Sequence, residues 1–256
     1  LAPVAEIRGT FGVDRAAKRV DCANKFPEYT CAAYFTDWLK SKGLTCTKGA
    51  ADTKFRNEWM ATESTDSLII IGTSSSAELE RIIHATNHAS NNLYAETIFR
   101  TLGKAISGSA TYASSASALE SAIRKMGVDT SKGIYIKDGS GLSRQNLVSS
   151  DFFCRFLEAM MHSPAFEAYA ESLPSPGDNG TLKFNMKSYP EELRSRIKVK
   201  SGSMNGVRCY SGYIIPTEGT KAETIIFSIL TGNCTSPTWK VRPMLDKLMA
   251  ELAGIN

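Results

Sequence analysis

The stretch RIKVKSGSMNGVRCYSGYII, residues 196–215, decides the fold. It holds two runs rich in β-branched and aromatic residues, 196–201 and 207–215, separated by a segment that begins at Gly202 and ends at Gly206. Runs of this composition broken by glycine read as strands joined by a turn. A third run, 223–230, follows the turn residues Pro216 to Gly219. Connections this short join antiparallel neighbours, so the three strands make a meander. Beyond them Leu245, Leu248, Met249 and Leu252 recur at helical spacing, which predicts a closing helix over 241–252 lying across one face of the sheet.

Upstream the pattern is mainly helical. Ala32, Tyr34, Phe35, Trp38 and Leu39 give an amphipathic helix over 26–42, stopped by Gly43. Residues 68–71 read as a short apolar strand. Ser75 and Glu78 form an S-x-x-E capping box, so a helix is expected from there to about His88. After the turn Ala89-Ser90-Asn91-Asn92, a second helix carries Leu93, Ile98, Phe99 and Leu102 to a stop at Gly103. Residues 116–126 read as a helix closed by Gly127, and 133–136 as a strand entering the loop 137–142. Ser149 is the expected N-cap of a helix with Phe152, Phe156, Leu157 and Met160 on its apolar face. Residues 173–189, rich in Pro, Gly, Asn and Ser, read as a surface loop. The fold class is therefore α/β, an antiparallel sheet flanked by helices.

Composition excludes several classes. With 42% hydrophobic and 22% charged residues the chain is neither disordered nor fibrous. A net charge of +4 without a dense basic block gives no footprint for nucleic acid, and no apolar run reaches membrane-spanning length. The six cysteines (22, 31, 46, 154, 209, 234) lack C-x-x-C spacing and are expected as buried free thiols. His84 and His88 stand at i, i+4, but Ala85 occupies the place where a zincin needs Glu, so they read as helix packing rather than metal ligands. No metal or cofactor is expected.

Two short motifs carry chemistry: Ser90-Asn91-Asn92 on a helix–helix turn, and Lys200-Ser201-Gly202 on the strand that opens the meander. S-x-N and K-[ST]-G in this order belong to the motif set of penicillin-binding proteins and class A β-lactamases. Around them, Thr86-Asn87-His88-Ala89-Ser90-Asn91-Asn92-Leu93-Tyr94-Ala95-Glu96 resembles the T-N-x-x-S-N-N-L-x-A-E signature of the D-alanyl-D-alanine carboxypeptidase/endopeptidase family of low-molecular-mass penicillin-binding proteins. Asp138-Gly139-Ser140-Gly141-Leu142-Ser143-Arg144 matches that family's D-G-S-G-L-S-R loop, Gly180-Thr181-Leu182 its G-T-L, Lys198 to Val207 its K-T-G-S-x-x-G-V and Ser211-Gly212-Tyr213 its S-G-Y.

The resemblance implies a β-lactamase/transpeptidase-like fold incomplete at its N-terminus, with residues 1–20 as the tail of an inserted region and 21–256 as the C-terminal part of the peptidase domain. It implies catalytic roles for Ser90 (proton relay to the leaving amine), Asn92 (orienting amide) and Lys200 (positive charge for the substrate carboxylate). Ser201 would bond the same carboxylate, Gly202 would let substrate approach the strand, and Ser203 would supply an oxyanion-hole N–H. The implied partners are peptidoglycan peptides and β-lactam inhibitors, and the implied location is exported, at the periplasm or cell envelope. The family's nucleophilic S-x-x-K is missing: Ser195-Arg196-Ile197-Lys198 is a chance match abutting Lys200, so the nucleophile and base lysine are expected outside the chain. A β-lactamase and a catalytically silent peptidoglycan-binding scaffold are the alternatives.

Overall fold

The computed structural model describes residues 9–10, 12–17, 24, 26–47, 49–50, 73–219 and 222–255. The strand expected at 68–71 and Cys22 lie outside them. The chain forms two compact units, Leu1–Ser74 and Ser75–Asn256.

In the first unit α1 (Pro27–Ser41) begins with proline in its first turn, where the missing N–H has no partner to lose. It ends in a Schellman motif, Leu44 N–H on the Leu39 carbonyl and Gly43 N–H on that of Lys40. The expected helix is present, but its aromatic face stays open, with Tyr34 75% and Trp38 56% exposed.

The second unit runs α2 (Leu79–Ala89), α3 (Asn92–Ser107), α4 (Tyr112–Lys125), β1 (Ile134–Tyr135), β2 (Leu147–Val148), α5 (Ser150–Met161), α6 (Phe166–Ser172), α7 (Glu191–Ser195), β3 (Ile197–Met204), β4 (Val207–Ile214), β5 (Ile225–Thr231) and α8 (Thr238–Gly254). The meander is as expected, in the order β3-β4-β5 with both pairings antiparallel. Its first turn is tighter than the glycine spacing suggests. Met204 pairs with Val207, leaving the two-residue hairpin Asn205-Gly206, in which Gly206 takes the positive φ, 76, that favours glycine. Gly202 and Ser203 are consequently strand residues.

Alternation along β3 decides what each face does. Ile197 and Val199, fully buried, join Tyr210, Ile214 and Phe227 in a core closed by Leu245, Met249 and Ala253 of α8. The opposite face receives α5 and α6: Tyr213 packs with Leu157 and Leu173, and its hydroxyl donates to the Leu157 carbonyl at 2.8 Å. Burial of these rings pushes the Tyr169 phenol up to about 12 and the Tyr213 phenol up as well. A third core joins Ile123, Val128 and Phe152 beneath α4, α5 and β1.

Several expectations are corrected. The S-x-x-E at 75–78 is not a capping box, because Glu78 is the extended residue before α2 and makes no side-chain cap. α3 runs through Gly103 to Ser107, and α4 begins at Tyr112 under a Thr111 cap that accepts from Ser114 N–H. The 173–189 segment is not a surface loop. Leu173, Leu182, Asn185 and Met186 are all under 4% exposed, and Asn185 Nδ2 donates to Tyr210 Oη and Asp246 Oδ1 at 2.8 and 2.9 Å. The expected buried thiols are free among the described residues, but Cys31 is exposed and the other four half-buried. On α8, Leu248 is 40% exposed. No helix among the described residues is long and apolar enough to cross a membrane.

Gly103 is kept by close packing, since a methyl group there would lie 2.3 Å from Ser115 Oγ and 2.9 Å from Ser115 Cα. Gly103→Ala should gain about 1 kcal/mol in helix propensity and lose about 1–3 kcal/mol to overpacking. A net fall in melting temperature is expected; a rise would show that α3 and α4 do not meet there.

Candidate active site

The turn between α2 and α3 places Ser90 by backbone geometry. Ser90 caps α2 in the left-handed region, φ 50, a conformation uncommon for a residue other than glycine. Its N–H and that of Asn91 both bond the Thr86 carbonyl. The Asn91 side chain then caps α3, accepting from Tyr94 N–H at 3.1 Å. Two outside contacts fix the turn: Asn87 Nδ2 donates to Ser172 Oγ at 2.7 Å, and Thr181 N–H to the His88 carbonyl at 3.3 Å. The latter requires Gly180, whose Cβ would lie 2.4 Å from His88 O.

Lys200 reaches this turn from β3. Its Nζ donates to Ser90 Oγ and to the Ser201 carbonyl, both at 2.9 Å, the first contact joining residues 110 apart in sequence. Burial pushes the Lys200 ammonium below its usual pKa, as expected for a charge withdrawn from water. Gly202 shares the Lys200 face, where a Cβ would meet only Cys209 Cβ at 3.7 Å; packing alone does not demand glycine there. Ser211, paired with Lys200 across the strands, bonds Ser228 at 2.8 Å on that face.

Ser201 and Ser203 alternate to the other face, yet their main chain matters. Val199 N–H points off the sheet to Pro174 O. Antiparallel alternation turns the N–H and C=O of Ser201 and Ser203 the same way, along the edge of β3 that no other described strand pairs. Asn92, the exposed first residue of α3, lines a depression of about 400 Å³ with Glu96, Asp138 and Ser140.

Glu96 is a residue whose structural part the sequence reading missed. Its carboxylate accepts from Gly139 N–H, Ser140 N–H and Ser140 Oγ at 3.3, 3.2 and 2.7 Å. Asp138 knots the same loop internally, accepting from Gly141 N–H, Ser143 N–H and Asn146 Nδ2. An acid one turn beyond the Asn92 helix start, with a glycine-rich loop elsewhere, was the available signal. The Ser195/Lys198 pair behaves otherwise: Ser195 Oγ donates to the Glu192 carbonyl and Lys198 Nζ to Ser175 Oγ. His84 and His88 stack on each other, ring centroids 4.0 Å apart, and burial followed by the His84 charge lowers the His88 pKa.

The fold that carries this lysine and turn has counterparts among solved structures. Penicillin binding protein 4 from Haemophilus influenzae, complexed with a β-lactam, shares the fold at TM-score 0.59 and 22% identity, over 68% of this chain and 40% of that one. A penicillin G-acylated predatory endopeptidase from Bdellovibrio bacteriovorus shares it at TM-score 0.54 and 20% identity, over 70% and 46%. Residues 4–252 match the D-Ala-D-Ala carboxypeptidase 3 (S13) family, and the chain belongs to that family. It is 30% identical over 226 residues to the D-alanyl-D-alanine carboxypeptidase of Actinomadura sp. strain R39, which covers 86% of this chain and 40% of that protein. The chain thus spans well under half of that relative's length.

Two outcomes test this geometry. The folded-state pKa of Lys200 lies below 10.5, so between the two values the unfolded chain binds more protons than the folded one. Stability of the wild type relative to Lys200→Met should therefore rise as pH climbs through that window; a pH-independent difference in melting temperature would mean the ammonium is not desolvated. Separately, Glu96→Gln should speed amide exchange at Gly139 and Ser140 over the rest of the loop, and unchanged exchange would remove Glu96 as the clamp.

Proposed function

We propose that this chain is the substrate-holding part of a serine DD-peptidase that cuts D-alanyl-D-alanine or D-alanyl cross-links in peptidoglycan and is acylated by penicillin. One observation carries the reading: the 2.9 Å contact between Lys200 Nζ and Ser90 Oγ beside that edge of β3. An extended D-alanyl peptide adds to that edge as a strand, with room at Gly202 for close approach. Its terminal carboxylate meets Lys200 and Ser201, and its scissile carbonyl the Ser203 N–H.

In the reaction a serine hydroxyl attacks the carbonyl carbon, the C–N bond to the terminal D-alanine breaks, and the departing amine takes a proton through Ser90. Lys200 holds the Ser90 oxygen as acceptor, leaving its proton free to move toward the amine. Asn92 orients the peptide from the start of α3. Water then hydrolyses the acyl-enzyme. The attacking serine and its base lysine are assigned to an S-x-x-K outside these 256 residues, because neither Ser195 nor Lys198 has a partner suited to that work. Export to the cell envelope follows from the substrate.

The test uses the longer gene product and a fluorescent penicillin. Lys200→Ala should slow acylation roughly 10²–10³-fold, the scale for removing one transition-state charge contact, while melting temperature moves little. Acylation unchanged by the substitution would take Lys200 out of the site. No acylation of the wild type would favour the silent scaffold, and rapid release of hydrolysed penicillin the β-lactamase.

A further inference from the structure

The Ser90 turn sits on a pair of histidines that the proposed reaction does not use. His84 and His88 stand one turn apart at the end of α2, their rings stacked with centroids 4.0 Å apart and 16° between planes. His88 is also where the turn is fastened from outside. Its carbonyl accepts the Thr181 N–H at 3.3 Å, and Gly180 packs so closely that a Cβ would lie 2.4 Å from that oxygen. Ser90 follows two residues later and bonds Lys200.

One atom of the pair stands out. His88 Nε2 is buried and has no hydrogen-bond partner among the described residues. A neutral ring can leave this nitrogen as a bare lone pair, but an imidazolium carries a hydrogen on both nitrogens. Charging His88 therefore makes a buried, unpaired N–H donor on a cation, which is costly to leave without an acceptor. It also places that charge against His84 at stacking distance.

The neighbouring groups do not reverse this balance. Asp178 of the loop favours the charged ring, as do main-chain groups of Glu171 on α6 and of Asn179. Burial and then His84 outweigh them, which leaves the His88 pKa below its ordinary 6.5. The other carboxylates are Glu80, one turn before His84 on α2, and Glu167 and Glu171 on α6; Tyr169 of α6, pushed up to about 12, stays neutral throughout. On α3 the charged groups are engaged elsewhere: Glu96 with Ser140, Arg100 with the Ala110 carbonyl and Lys104 with that of Gly108. Lys200, at Ser90 Oγ, is a further positive charge beside the turn.

We propose that His88 is a pH-sensitive positioning residue for Ser90: charging its ring drives it out of the stack, loosens the end of α2 against Thr181 and separates Ser90 from Lys200. Neutral, the ring packs and the turn is set. Charged, Nε2–H needs an acceptor that the stacked position does not offer. That this closes a peptide-cleaving site in acid rests on the peptidase reading; the response of the turn does not.

The test follows the 256-residue chain by NMR from about pH 8 to about pH 5, the range in which histidine titrates. The His88 ring should titrate below 6.5, and the Ser90 and Thr181 amides should shift with the same midpoint and lose exchange protection below it. His84→Gln should raise that midpoint without restoring 6.5, because burial is the larger cause, and should leave His162 at the end of α5 unmoved. His88→Phe keeps a flat ring that cannot charge, so both amides should become indifferent to pH. Stability supplies the sign independently. Between the folded pKa and 6.5 the unfolded chain binds more protons, so the wild-type melting temperature should fall relative to His88→Phe as pH drops through that window. In the longer gene product, the ratio of penicillin acylation rates, His88→Phe over wild type, should climb toward about tenfold one pH unit below the midpoint, the ceiling set by the neutral fraction; the ratio cancels the titration of the base lysine. A His88 midpoint at or above 6.5, amides that ignore it, or the same acid response in His88→Phe would overturn the proposal. No acylation at any pH, with the amides still following His88, sinks the peptidase reading alone.

Discussion

The segment from Leu173 to Tyr189 has almost no regular structure, and its buried backbone must find hydrogen-bond partners elsewhere. That constraint holds the second unit together. Pro174 O takes the outward Val199 N–H of β3, Thr181 N–H takes His88 O beside the Ser90 turn, and Met186 N–H takes Asp246 of α8. One loop thus ties the turn that carries Ser90, the strand that carries Lys200 and the helix behind the sheet. These bonds hold in register the two elements whose side chains, 110 residues apart, meet as Lys200 and Ser90.

Against this frame the Lys200–Ser90 contact is a local cost that the surroundings sustain. Burial disfavours the ammonium, and the left-handed Ser90 is strained. Both persist because α2, α6 and the loop over-determine the turn. Strain and desolvation at one place, on a strand edge that no other described strand pairs, are what a site needs if it is to act on a ligand rather than stabilise the protein.

The sheet was legible in sequence because its strands obey period two and its turns carry glycine. Asn205-Gly206 fixes the hairpin, and the alternation that puts Val199 inside puts Lys200 outside. The motifs were legible by order: Ser90, Asp138, Gly180 and Lys200 recur in a family's sequence. What periodicity could not show was tertiary. Gly103 looks like a helix stop and is a packing contact. The composition of residues 173–189 suggests solvent, while Leu182 and Asn185 are buried through partners on β4 and α8. Glu96 looked like one more charge on a helix, because the loop it binds lies 43 residues further along the chain.

The polar cluster beneath α8 completes the logic. Asn185, Tyr210 and Asp246 are buried together, and Arg208 donates to Tyr210 Oη from the strand end at 2.6 Å. Even with every bond made, a buried acid and amide are often no more stabilising than an apolar core of the same shape, so stability alone is a weak reason for the cluster. Its geometry specifies where the loop leaves the sheet, and with it the height of Thr181 against His88. A well-packed apolar substitute could match the stability but would not fix that height, since apolar contacts tolerate sliding where hydrogen bonds do not. The precision of the Ser90 turn is therefore supplied from the far face of the sheet.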